Sequence, residues 1–381
     1  MTQPSSSPAS GSGAQTSQNG ILPVQHLHDA VTQGYIRTDI PLADGQIQPA
    51  SLDLRLGRRA WRLQASFLPG TAQTVQEKIE QFSMYELDLQ DGAVLETGSV
   101  FIVELLESLH LPDDMSALAN PKSSTGRLDV FTRLITDGST EFESVAPGYS
   151  GPLYAEISPR TFSVKVRTGS RLSQLRLRRG QVGLTDEQLE EAQHQHQLVR
   201  YEDPSVYSIH DGISLSVHLS PSDDGLVGWR ARKHAGLIDV DAPHSQPAQR
   251  FWEAVRAEDL MSGSLILNPD EFYILASREF VHVPSFLAAE MRAYDTRVGE
   301  FRAHYAGFFD PGFGMSQIGA SPTRAVLEVR SHDVPFLIDE GQTVCRLVYE
   351  EMAAVPDNLY GAEGSGSNYQ SQGLKLAKHF Y

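Results

Sequence analysis

Leu95-Glu-Thr-Gly-Ser-Val-Phe-Ile-Val103 returns as Leu267-Asn-Pro-Asp-Glu-Phe-Tyr-Ile-Leu275, a shift of 172 residues (267 minus 95). Outward from that stretch, Leu111-Pro-Asp-Asp-Met115 matches Val283-Pro-Ser-Phe-Leu287 at the same shift. Ala146-Pro-Gly-Tyr-Ser-Gly151 then matches Asp310-Pro-Gly-Phe-Gly314, and Leu153-Tyr-Ala-Glu156 matches Val326-Leu-Glu328. A fainter match of Ala50-Ser-Leu-Asp-Leu-Arg-Leu-Gly57 with Gly212-Ile-Ser-Leu-Ser-Val-His-Leu219 keeps the order of elements. The chain is therefore a duplication, each copy a β-rich domain of roughly 160 to 180 residues, a usual size for one domain.

The local pattern is that of strands. Leu52, Leu54 and Leu56 alternate with Asp53 and Arg55 before Gly57, which predicts a half-buried strand with its polar side chains outward. Ser99 to Leu106 and Phe162 to Thr168 read similarly. Helices are few. One is expected over His26 to Gln33, and one over Thr185 to Gln197, with a threonine cap and acids in its first turn. The second is polar almost all round and suits a linker. The expected division is a disordered tail (1–20), a first β domain (21–183), a helical linker (184–204), a second β domain (205–359) and a C-terminal tail (360–381).

Composition narrows the function. The 381 residues carry a formal charge of −17, which argues against a nucleic-acid polymer as partner, since that needs an extended basic face. A small anionic ligand is compatible with it, because local cations outweigh a distant acidic surface at physiological salt. The single cysteine, Cys345, excludes an internal disulfide and a multi-cysteine zinc site, and it points to a cytoplasmic location. The first twenty residues lack the basic start and apolar run of a secretory signal. No apolar stretch is long enough to cross a bilayer as a helix.

Asn120-Pro-Lys-Ser-Ser-Thr-Gly-Arg127 puts two hydroxyls, a lysine and an arginine on a glycine-containing turn after a strand, the ingredients of a phosphate cradle. Taken alone it reads equally as a polar surface turn. Its company decides the matter: Gln48-Pro-Ala-Ser-Leu-Asp-Leu-Arg-Leu-Gly57, Lys122-Ser-Ser-Thr-Gly-Arg127, Pro147-Gly-Tyr-Ser-Gly151, a glutamate on the next strand, and Asn368-Tyr-Gln-Ser-Gln-Gly373 near the end. In that order these landmarks resemble the family that joins dCTP deaminases with trimeric dUTPases, on its deaminase branch. The resemblance covers most of residues 20 to 180 and, more weakly, 205 to 381. It implies a mainly β fold of two tandem distorted jelly-rolls (dUTPase-like β-barrels) with few short helices. It also implies a homo-oligomer in which domains pack in threes and active sites lie between neighbouring domains.

Deaminating cytosine means adding water at C4, protonating N3 and expelling ammonia, so a carboxylate must accept and then donate a proton. Zinc deaminases use a metal held by His and Cys in an H-x-E and P-C-x-x-C pattern, which a chain with one cysteine does not supply. The resemblance implies a metal-free site, with Glu156 and Glu328 at the catalytic glutamate position and Arg127 contacting the catalytic water or leaving group. Lys122, Ser123 and Ser124, with Thr125 and Gly126, take the phosphate side. Asp310 takes the deoxyribose 3′-hydroxyl, and Tyr154, Ala155, Val326 and Leu327, the neighbours of the two glutamates, are further substrate-binding candidates. Tyr360, Tyr369 and Gln372 belong to a tail that closes over the triphosphate, with Asn368 where the family has a basic residue and Lys375 or Lys378 as candidates to replace it. Mg²⁺ is expected to travel with the nucleotide rather than on protein side chains. Without the resemblance, the two glutamates read as the solvent side of amphipathic strands, and Arg127 as a surface ion pair.

The two copies have diverged differently. The first keeps Lys122, Ser123, Ser124 and Arg127 but has Ala146 where the family has its aspartate. The second keeps Asp310 but carries Tyr294-Asp-Thr-Arg-Val-Gly299 in place of the loop. A composite site is expected, joining the loop of the first copy to Asp310 and Glu328 of the second. The rival places Glu156 with Arg127 of another first-copy domain. The stretch Asp137 to Val145 is an insertion, either a lid or a longer hairpin. The activity expected is dCTP plus water to dUTP plus ammonia, feeding thymidylate synthesis. Alternatives are a dUTP diphosphatase, a bifunctional enzyme, or a non-catalytic nucleotide-binding regulator on the same fold.

Overall fold

The computed structural model describes residues 19–201, 207–293, 301–303, 307–315, 323–331, 333–362 and 373–381. Two ten-stranded sheets dominate, one per copy, and the duplication is visible in their wiring. In the first, the strands Ser150–Pro159, Val100–His110, Leu52–Leu63, Arg171–Arg179, Met115–Pro121 and Ser144–Val145 lie side by side in that order, each antiparallel to the next. In the second, Thr323–Ser331, Phe272–Val281, Ile213–His218, Thr343–Glu351, Leu287–Ala293 and Phe308–Phe309 repeat the order and the sense. Few helices accompany them, as expected of a mainly β chain: Val24–Thr32, Val75–Phe82 and Asp186–His196 are the longer ones among the described residues.

One expectation fails. The strand Leu52–Leu63 is buried on both faces over its first half, so Asp53 and Arg55 are 2% and 4% exposed rather than solvent-facing. The physical reason is the cover its second face receives. Glu107 on the neighbouring strand meets Arg55 at 2.7 Å, and the carbonyls of Ile40 and Pro41 accept from the same guanidinium. The polar helix Asp186–His196 is capped by Thr185 and fastens itself with Leu189, buried in the second core, and Ala192, packed against it. The insertion returns to the sheet, with Ser144 and Val145 paired to Leu118 and Ala117.

The copies are not beads on a string. The strand Leu237–Asp239 of the second copy adds in parallel to Ser163–Val166 of the first. One core draws Phe101, Ile157 and Phe162 from the first copy and Phe251, Trp252 and Ile274 from the second. The last residues complete it: the Phe380 ring lies tilted against Phe251 at 5.5 Å and edge-to-face with Trp252 at 5.9 Å, and Trp229 Nε1 donates to the Leu374 carbonyl. Residues 374–381 are thus a built part of the fold, whereas 363–372 lie outside the described residues. Phe380→Ala is expected to lower stability by about 3 to 5 kcal/mol, the usual cost of deleting a buried ring; urea unfolding measures it, and a loss below about 1 kcal/mol would show the terminus to be dispensable.

Candidate active site

The turn Lys122 to Arg127 forms one turn of helix, Ser123–Gly126, after the strand Met115–Pro121. Its N–H groups at Thr125 and Gly126 donate to the Lys122 carbonyl, and that of Arg127 to Ser123, so these three close the turn and do not cradle an anion. What the turn presents are side chains. Ser123 is half-buried, while Ser124 and Thr125 are buried. Lys122 pairs with Asp53 at the floor of a cleft of roughly 550 Å³. Arg171 and Lys378 line the same cleft, together with Asp241 and Asn358. Burial, and then the charge of Lys122, push the Lys378 ammonium below the usual lysine range, while Asp53 and Asp241 pull it back up.

At the far end of the turn Arg127, 3% exposed, crosses to the second copy. Its Nε lies 3.7 Å from Glu328 Oε1, and its Nη1 donates to the Lys375 carbonyl at 2.7 Å. Glu328 sits in mid-strand, opposite Ile274, and is 4% exposed. Burial pushes its carboxyl up to about 7, with the Arg127 charge pulling in the opposite direction. A buried carboxyl that titrates near neutrality beside a fixed cation can take a proton and return it.

Glu156, the equivalent residue of the first copy, has a different setting. It is 1% exposed and tied to Arg133, whose Nε donates to its Oε1 at 3.1 Å. The Arg133 guanidinium in turn lies 3.8 Å above the Phe142 ring of the insertion. Within the chain the geometry joins Arg127 to Glu328, and Glu156 to Arg133.

Asp310 is buried, and its Oδ1 accepts from Arg176 Nη2 at 2.9 Å. Its counterpart Ala146 is exposed. Ala155 and Leu327 are wholly buried, with their side chains in cores and their strands paired to neighbours. Val326 packs in the shared core and Tyr154 in a cluster with Trp61. The Tyr360 N–H donates to the Pro311 carbonyl, and its ring lies 5.9 Å from Phe313, next to Asp310. Tyr369, Gln372, Asn368 and the replaced loop 294–299 lie outside the described residues.

Two features escaped the sequence reading. Asp129 pairs with Arg330 beside the Arg127–Glu328 contact, and Arg178 Nη2 meets Glu350 Oε1 at 2.6 Å. Arg178 and Glu350 are repeat-equivalent positions (350 minus 178 is 172), so opposite charges at matched sites were the available signal.

Family models for the 2′-deoxycytidine 5′-triphosphate deaminase N-terminal and C-terminal domains match residues 18–181 and 185–380. The chain belongs to the 2′-deoxycytidine 5′-triphosphate deaminase family. The crystal structure of 2′-deoxycytidine 5′-triphosphate deaminase from Agrobacterium tumefaciens is 52% identical, covers 88% of this chain and 99% of that one, and superposes with a TM-score of 0.82. Two further dCTP deaminase relatives each match less than half of the chain. The dUMP-forming dCTP deaminase of Parafrankia sp. is 33% identical over 159 residues, 41% of this chain and 74% of that protein. The dCTP deaminase of Halorubrum lacusprofundi is 32% identical over 160 residues, again 41% of this chain and 75% of that protein.

Proposed function

We propose that the chain hydrolyses dCTP to dUTP and ammonia at a site shared by its two copies, with Glu328 as the proton carrier. The observation that supports this most is the contact of Arg127 from the first copy with Glu328 from the second, both buried. The carboxylate takes a proton from the water that attacks C4; the same proton is delivered to N3, and a later one to the departing amine. Arg127 holds charge and orientation without being consumed. Asp310, oriented by Arg176, receives the 3′-hydroxyl, while Lys122, Arg171 and Lys378 hold the phosphates. The carboxylates of that cleft are already engaged, Asp53 by Lys122 and Asp241 by Arg167 and Ser170. Mg²⁺ is therefore assigned to the phosphate oxygens rather than to side chains.

A bifunctional outcome, dCTP to dUMP, is the second reading, favoured by the similarity to dUMP-forming dCTP deaminases such as that of Parafrankia sp.. The supply of dUTP or dUMP to thymidylate synthesis, a cytoplasmic site of action and assembly as a homo-oligomer are parts of the same proposal. Among the described residues no helix is long and apolar enough to cross a membrane. Incubating the protein with dCTP and Mg²⁺ and separating the nucleotides tests the reading. Accumulating dUTP is expected; dUMP in its place assigns the bifunctional reaction, and neither product removes the enzyme reading.

A further inference from the structure

We propose that buried Asp129 and Arg330, with half-buried Thr161, form a clamp that positions Arg127 against Glu328 across the junction of the two copies. The proposal rests on the deaminase reading of that site. Asp129 is fully buried and has a φ of 56°, a left-handed conformation that few residues other than glycine adopt and that Asp and Asn tolerate best. Its Oδ2 accepts from Arg330 Nη2 and from the Thr161 hydroxyl, and the same Arg330 nitrogen donates to Thr161 Oγ1 at 3.0 Å. The three groups close a triangle. Arg330 is 6% exposed, and the other carboxylate near it, Asp270 at 3.8 Å, is mostly in solvent.

The placement gives the clamp its purpose. Asp129 follows Arg127 by two residues, and Arg330 follows Glu328 by two on the same strand, so both strand side chains point to one face. The two ion pairs have opposite polarity: cation on anion at Arg127–Glu328, anion on cation at Asp129–Arg330. Sliding the junction by two residues in either direction would set Arg127 on Arg330 or Asp129 on Glu328, like charges in a buried place. One register is allowed. At 3.7 Å the Arg127–Glu328 contact is looser than a hydrogen bond, so it does not fix its own geometry. The Lys375 carbonyl holds the Arg127 guanidinium at 2.7 Å, and the triangle holds the backbone two residues on.

Asp129→Asn keeps the size and the tolerance of positive φ while removing the charge. In the full chain it is expected to lower kcat by about 10- to 100-fold, the cost of a reacting group displaced by a fraction of an ångström, with KM for dCTP changed by less than about 3-fold. The acid limb of the kcat/KM pH profile should move as well. Among the described residues the ionisable groups that act directly on the Glu328 carboxyl are Arg127, whose charge holds it down, and the Cys345 thiol, which burial pushes far up and keeps neutral. Thr161→Val, a milder cut in the same triangle, should move both readouts in the same direction. Normal kcat and an unmoved limb in both variants, even with lowered melting temperatures, would overturn the clamp. Should Asp129→Asn fail to fold, Thr161→Val decides alone. Failure of the unaltered protein to turn over dCTP would instead strike the function reading.

Discussion

Glu328→Gln is expected to reduce dCTP turnover by about 10³-fold or more, whereas Glu156→Gln leaves it within about 3-fold. The first figure is that of a lost general acid–base group, which contributes about 10² to 10⁴; the second follows from the Arg133 ion pair that occupies Glu156. Full activity in the Glu328 variant would sink the composite site and return the role to Glu156. The pH profile adds a second check. Attack by water needs the carboxylate form, so kcat/KM should rise as pH passes about 7. Stability runs the other way. Between the ordinary glutamate value of 4.5 and about 7 the folded protein keeps a proton that the unfolded chain has lost. Stability from this carboxyl is therefore present below pH 4.5 and falls as pH rises through 7, by on the order of 3 kcal/mol at about 1.4 kcal/mol per pH unit. Glutamine has no such slope. Relative to the unaltered protein, the melting temperature of Glu328→Gln should therefore improve from pH 5 to pH 8, and parallel melting curves would contradict a buried, near-neutral carboxyl.

The same residues show how far the sequence could be read. The repeat at 172 residues implied two copies with one strand order, because each strand carries its own apolar alternation and its own turn. The divergence of the copies pointed to a site shared between the loop at Lys122 and the strand at Glu328, and the structure brings Arg127 to Glu328. Buried charge was the part that could not be read. Asp53 and Arg55 have the period of a solvent face, and only the cover of other segments turns that face inward. Asp129, Arg176 and Arg330 likewise look like surface residues in their own strands and turns. Each is buried by the other copy, and a partner more than a hundred residues away leaves no local pattern. The last residues read as a tail for the same reason: Phe380 acquires its meaning from Phe251 and Trp252.

Arg176→Met is expected to destabilise the protein by about 3 to 5 kcal/mol, the cost of breaking a buried ion pair by removing one partner. Arg176 belongs to the first copy and is wholly buried, yet it donates into the second: to the carbonyls of Ala289 at 2.9 Å and Phe309 at 3.0 Å, and to Asp310 Oδ1 at 2.9 Å. Its guanidinium also lies 4.0 Å from the centre of the Phe308 ring. Methionine fills much of the same space but donates nothing, so a carboxylate and two carbonyls lose their donor inside the junction. Glu350 is less affected, since Arg178 holds it at 2.6 Å. The double change Arg176→Met with Asp310→Leu should recover part of the loss, because it removes the orphaned charge along with its partner. The recovery stays incomplete while the two carbonyls lack a donor. Urea unfolding of the two variants measures both effects. A loss below about 1 kcal/mol for the single change would mean that water reaches the guanidinium, and a double variant no better than the single would mean that the carbonyls, not Asp310, carry the interaction. Where the double variant does recover, the activity assay separates the roles: it regains stability without regaining the carboxylate assigned to the 3′-hydroxyl, so its KM for dCTP should be high while its melting temperature rises above that of the single variant.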